Sequence, residues 1–216
     1  RIAEGFFYYD QHDSLIKRSK SRNWSWTVLR PHVVIGPARR SPLNLMAVLG
    51  VYASLMKAMK QPLAFPGPPG AFEAIYQATD SKLLSNAINW SGDAKVAANQ
   101  IFNVTNGDFF RWRNLWPRIA SVFGLDAADP NPQSLVETMA DVAPVWKDLA
   151  VKHGLIVEDL SALVSWSFAD YVFGTTWDVM SDTLKIRNAG FVECVDSDQI
   201  ILKRIKELRD LKILPP

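Results

Sequence analysis

Cysteine occurs once, at Cys194, which excludes an intramolecular disulfide and any cysteine-cluster metal site and suits a reducing compartment, so a cytoplasmic location is expected. Histidine is nearly as scarce. His12, His32 and His153 lie far apart, with no metal-ligand spacing to a carboxylate or thiol, and no metal is expected. Long hydrophobic runs are missing too: the longest apolar stretch, NLMAVLGVYASLM, is about 13 residues against the roughly 20 needed to cross a bilayer, so no membrane is expected. Neither sign of charge dominates. With 24 Lys and Arg against 22 Asp and Glu, dispersed along the chain, no basic stripe follows a phosphate backbone, and nucleic acid is not an expected partner. A GxGxxG turn is absent, and so is an initiator methionine: RIAEGFFYYD reads as the continuation of a longer chain.

Aromatic and aliphatic residues are plentiful. Of 216 residues 48% are hydrophobic, including 11 Phe, 5 Tyr and 8 Trp, enough for a large core dominated by aromatic surface. Asp10 and Asp13 followed by Lys17, Arg18, Lys20 and Arg22 complement a helix dipole and predict a helix over 10–22. WSWTVLRP alternates and ends at a proline, predicting a strand over 24–30. A loop with Gly36, Pro37 and Pro42 then leads to a helix over 43–59, for which Ser41 is a candidate cap. LAF is a short strand, PGPPG a rigid turn, and Thr79 and Asp80 cap the helix KLLSNAINW. IFNV is a strand closed by the turn TNGD.

From Phe109 onward the pattern is helical. Trp112, Trp116, Ile119 and Phe123 form one apolar stripe around Pro117, and further helices are predicted over 134–140, 145–153, 160–173, 179–187 and 198–211. The fold class is α/β, with two sheet strands in the first half and a mainly helical second half. Two strands alone do not make a stable sheet, so their neighbours are expected upstream of Arg1.

FYY…D, WTVLRPHVVIG, SPLNLM, FNVTNGDFFRW and the C-terminal PVW, SW and AGF together resemble the C-terminal half of the progesterone 5β-reductase and iridoid synthase-like enzymes. These are atypical extended short-chain dehydrogenase/reductases. The resemblance runs from about Phe6 to Pro216. It implies the C-terminal part of a Rossmann-type nucleotide-binding core over 1–105, with a substrate-side insertion at about 37–80, and a mainly helical substrate-binding region over 106–216. The family motif Asn-Phe-Tyr-Tyr-x-x-Glu-Asp corresponds to Phe6-Phe7-Tyr8-Tyr9-Asp10-Gln11-His12-Asp13, which makes Tyr8 the implied catalytic residue. Phe6 replaces the usual Asn, and His12 the usual Glu.

The resemblance also implies NADPH as cofactor, contacted by Tyr8 and, at its nicotinamide end and phosphates, by Val34, Ser41, Pro42 and Leu43, and a helper lysine upstream of this chain. Phe72, Trp177 and Val179 are the candidate substrate contacts. The expected activity is reduction of the activated C=C bond of a small enone or enal, steroid-like or terpenoid, in which a phenol stabilises charge on the carbonyl oxygen. The isolated chain is expected to be inactive. Expected partners are that substrate and the missing N-terminal nucleotide-binding half, with a homodimer as an allowed assembly.

Two other readings stay open. A sugar-nucleotide epimerase or dehydratase would keep Lys four residues after Tyr, where His12 stands, and a noncatalytic dinucleotide-sensing module would tolerate both motif changes. Packing or solvation competes with function elsewhere: Tyr9 is expected to pack, His12 to be an exposed polar residue, His32 and His153 to be structural, Cys194 to be buried or idle, and Arg39 and Arg40 to reach a phosphate or simply face water.

Overall fold

Residues 6–216 are described by the computed structural model, so the first five residues of the expected 1–105 unit lie outside it. Helix α1 (Phe7–Ser19) begins earlier than the charge pattern suggests, with Phe6 at its N-cap and no side-chain cap. Asp10 in its first turn and Lys17 and Arg18 in its last complement the dipole, but none of its residues is buried. Strand β1 (Thr27–Pro31) follows, then β2 (Val34–Ile35).

Helix α2 (Leu45–Ala58) is apolar on every face, and Leu45 through Met56 are all buried. Its cap is Asn44, whose Oδ1 accepts the Met46 N–H while its Nδ2 donates to the Gly36 carbonyl, so Ser41 is not the cap. Strand β3 (Leu63–Ala64) leads into PGPPG. That stretch is more than a turn: Pro69 opens α3 (Pro69–Glu73), where its missing N–H costs no helical bond. Next come β4 (Ile75–Tyr76), β5 (Thr79–Asp80), α4 (Ser81–Asp93) and β6 (Gln100–Val104).

The second half holds β7 (Phe110–Arg111), α5 (Trp112–Phe123), β8 (Ala127–Ala128), α6 (Leu135–Thr138), α7 (Ala143–His153), α8 (Trp166–Phe173), α9 (Leu184–Asn188) and α10 (Ser197–Asp210). Pro117 sits inside α5, and α5 and α7 stop at Gly124 and Gly154, both in the left-handed region. Two predicted helices lose their first part. The helix expected over 160–173 is interrupted, because the Ser165 N–H turns aside to the Pro42 carbonyl and its hydroxyl caps α8. The helix expected over 179–187 forms only from Leu184, since the amides of Val179 and Ser181 bond to Ile75 and Gln77 rather than to a preceding turn.

Strands β1 and β6 pair in parallel, from Thr27 opposite Gln100 to Pro31 opposite Val104, and β2 pairs in parallel with β5. Among the described residues β1 has no other strand partner. Two apolar clusters carry the packing. The smaller joins Leu83, Ala87, Phe102 and Val104 to Ile186 and Phe191. In the larger one Phe65 is ringed by Phe72, Trp112, Trp116 and Phe173 at centroid distances of 5.1 to 6.0 Å, and α2 crosses it. The indole N–H of Trp116 donates to the Leu63 carbonyl at 2.9 Å, and Tyr52 donates its hydroxyl to the Ala64 carbonyl. Burial pushes the Tyr52 phenol up to about 12. Gly67 lets the PGPPG turn lie against the end of α8: a Cβ there would come within 1.9 Å of the Phe173 carbonyl oxygen.

Candidate active site

A cleft of about 660 Å³ opens between α1 and β1, lined by Phe6, Tyr8, Tyr9, His12 and Leu15 on the helix side and Val28 to Pro31 on the strand side. Helical spacing puts Tyr8, His12 and Leu15 on the same wall. Tyr8 is 57% exposed, and its ring packs against Phe6 and Phe7 at 5.2 and 4.1 Å between centroids. The strand side runs along β1 from Val28 to its carboxyl end at Pro31, the end at which open α/β sheets place their ligands. His12 differs from expectation. It is half-buried, edge-on to Trp26 at 5.5 Å, and its Nε2 is shut off from solvent without a hydrogen-bond partner among the described residues. Four residues after Tyr8, the motif therefore carries an imidazole pinned to the start of β1, not a solvated side chain.

Val34 stands three residues beyond the cleft, at the start of β2, and is 39% exposed. Ser41 is half-buried, and Pro42 and Leu43 are exposed. Pro42 uses its carbonyl on Ser165, which fastens this loop to α8. These accessible residues beside a strand end suit the flat nicotinamide end of a dinucleotide. The loop brings no glycine-rich cradle with it. Gly36 is backed by Ser81, whose Oγ would lie 2.2 Å from an added Cβ, and among the described residues the glycines in the left-handed region are 107, 124, 154 and 190, none of them in this loop. Arg39 and Arg40 face water.

The lining of the α1–β1 cleft does not include Phe72, Trp177 or Val179: Phe72 is half-buried against Phe65, Val179 packs partly on the large cluster, and Trp177 is 62% exposed. Asp178 Oδ1 accepts the Ile75 N–H, and the Val179 N–H reaches the Ile75 carbonyl, so 177–179 runs beside β4, just after α3 with its Phe72. Cys194 is exposed, not buried. Among the described residues no cluster of His, Cys, Asp and Glu is placed to hold a metal, and no helix is long and apolar enough to cross a membrane.

Asp80 caps α4 by accepting the N–H groups of Lys82 and Leu83, as its position predicts. It also meets Arg204 of α10 in a buried two-pronged ion pair at 2.7 and 2.8 Å, with Glu207 on the third nitrogen. The Asp80 carboxylate, with Glu207 behind it, raises the Arg204 guanidinium above its usual value. Asn106 continues the network, accepting the Asp80 N–H and donating to Ser197, whose hydroxyl donates to Asp108. Sequence reading finds only the capping role, because the partner is 124 positions away.

Similarity to known proteins follows the same layout. The chain is 33% identical to an (S)-8-oxocitronellyl enol synthase of Camptotheca acuminata and 29% identical to one of Antirrhinum majus; both matches cover 100% of this chain and 56% of the relative. It thus spans about half the length of the curated relatives it matches. Among solved structures, RMD of Pseudomonas aeruginosa complexed with NADPH superposes with a TM-score of 0.56 at 12% identity, over 93% of this chain and 52% of that one. UDP-glucose 4-epimerase of Thermotoga maritima gives 0.55 at 14% identity, over 94% and 52%. At such identities the likeness establishes a shared Rossmann-type α/β fold. The family described as the PRISE-like Rossmann-fold domain matches residues 1–215, and this chain belongs to it.

Proposed function

We propose that this chain is the substrate-binding part, with two strands of the nucleotide-binding sheet, of an NADPH-dependent reductase that acts on the activated C=C bond of an enone or enal of terpenoid or steroid-like shape. The observation that carries the reading is the position of Tyr8, on the open wall of an apolar cleft that ends at the carboxyl end of β1. The kinship with (S)-8-oxocitronellyl enol synthases supports a terpenoid enal in particular.

In this reading Val34, Ser41, Pro42 and Leu43 hold the nicotinamide end. When bound, the dinucleotide supplies a hydride. Tyr8 donates its phenolic O–H to the carbonyl oxygen, where negative charge develops during reduction, a stabilisation largest where water is excluded. Phe6, Leu15 and Val28 exclude that water from one side. Phe72, Trp177 and Val179 contact the apolar body of the substrate. The phosphate cradle and the helper lysine come from polypeptide preceding this chain, and the single cysteine suits a reducing cytoplasm.

The complete protein oxidises NADPH with an enal or enone, and Tyr8→Phe slows turnover by about a hundredfold or more, the usual worth of a positioned proton donor. Unchanged turnover in that variant would refute the role of the phenol. The 216-residue chain alone binds NADPH weakly and turns nothing over; calorimetry showing micromolar binding would contradict the division of labour between the two halves.

A further inference from the structure

Residues 174–183 form an irregular strap between α8 and α9. Irregular backbone is held by whatever its polar groups find, and here they find a line of anchors at the strand ends. Asp178 Oδ1 accepts the Ile75 N–H at 2.8 Å, and the Val179 N–H donates to the Ile75 carbonyl at 2.8 Å. The Ser181 N–H donates to Gln77 Oε1 at 2.7 Å, and the Asp182 carbonyl accepts from Asn103 Nδ2 of β6 at 3.0 Å. Between these anchors the strap presents Trp177 and Met180, 62% and 54% exposed. Large apolar side chains on a tethered strap are a costly way to face water.

One anchor comes from the cofactor side. Nε2 of His32 lies 2.8 Å from the Ser181 hydroxyl oxygen, across 149 positions of sequence. His32 directly follows β1 and stands two residues before Val34, the expected nicotinamide contact. It is half-buried, and burial lowers its imidazole from the ordinary value, so a neutral ring meets the hydroxyl. A single hydrogen bond therefore links the residue that leads into the Val34 loop to the strap.

We propose that His32 is a positioning residue: through Ser181 it holds the strap, with Trp177 and Met180, in register with the Val34 loop, and thereby sets the apolar wall that the strap presents beside that loop. The assignment of that wall to substrate rests on the reductase reading above; the tether itself does not. The obvious alternative is a bond that only helps the fold. It differs in outcome, because general destabilisation lowers protection throughout the core, whereas loss of the tether frees the strap alone.

Amide hydrogen exchange on the 216-residue chain tests the tether. His32→Ala and Ser181→Ala each speed exchange at Val179 and Ser181 by roughly tenfold, the worth of one net hydrogen bond, while amides of α2 and α5 keep their protection. His32→Gln, which places a nitrogen near the position of Nε2, restores slow exchange. Kinetics of the complete protein test the wall. His32→Ala raises KM for a bulky enone about three- to tenfold, with kcat and NADPH affinity little changed, and His32→Gln rescues it. Unchanged exchange in both alanine variants, or an equal loss of protection across α2 and α5, overturns the inference even if enone turnover is intact. A complete protein without enone turnover, but with strap exchange that responds as expected, overturns the reductase reading and the substrate role of the wall together, and leaves His32 as a tether.

Discussion

Helices α1 and α2 are of similar length and could hardly be held more differently. Every residue from Leu45 to Met56 of α2 is buried, whereas α1 buries none and leaves Phe6, Phe7 and Tyr8 between 47% and 57% exposed. Helix α2 exists because tertiary packing surrounds it; α1 exists with an aromatic face that the described residues leave open. Stability and chemistry are therefore segregated. The residues that hold the protein together lie in α2, around Phe65 and in the helices of the second half, and the residue proposed to act on substrate sits on the least supported helix.

Substitutions can break or sharpen that contrast. The largest effect is expected at the Asp80–Arg204 pair: Arg204→Ala leaves a buried carboxylate without its partner and costs about 3–5 kcal/mol, read as a lower denaturant midpoint. A loss under about 1 kcal/mol would show that water reaches Asp80 after all. Gly67→Ala comes next, at about 1–3 kcal/mol, because the added Cβ meets the backbone oxygen of Phe173 rather than a side chain that can swing away. At the other pole, Phe7→Ser and Tyr8→Phe in α1 change the stability of this chain by no more than about 0.5 kcal/mol. A loss above about 1 kcal/mol in either would place α1 within the cooperative core and erase the contrast.

The smallest effect is one of pH. Burial lowers the His32 pKa in the folded state, so between that value and the unfolded 6.5 the unfolded chain binds more protons. The stability of the protein with respect to this group is intact above about pH 6.5, declines as pH falls through the window below it, and levels off once the folded ring is also protonated. Subtracting the pH profile of His32→Gln from that of the parent isolates this slope, and a difference that is flat between pH 5 and 7, typical of an unperturbed imidazole, would remove the burial argument.

Local signals made much of this architecture readable. The alternation in WTVLRP marks β1, the Thr79–Asp80 pair marks the start of α4, and the apolar stripe of Trp112, Trp116, Ile119 and Phe123 is buried as its spacing requires. The motif around Tyr8 was legible only through family resemblance, since an aromatic pair at a helix start is ordinarily packing. What escaped reading was set by distant partners. Asn44 displaces Ser41 as a cap because it also reaches Gly36, and the segment before α9 stays extended because Ile75 and Gln77 offer its amides better bonds than its own turn. His12 looks solvated by residue type, yet Trp26 claims its ring. No window of sequence contains both members of such pairs.

The ion pair between Asp80 and Arg204 also dictates an order of events. Closing a chain segment of 124 positions is entropically slow compared with winding a helix, so α4 and its cap are expected to form before Arg204 reaches Asp80. Arrival of α10 neutralises it. Stopped-flow experiments should show a salt-sensitive late phase that Arg204→Ala abolishes, marking the moment when the two ends of this network lock.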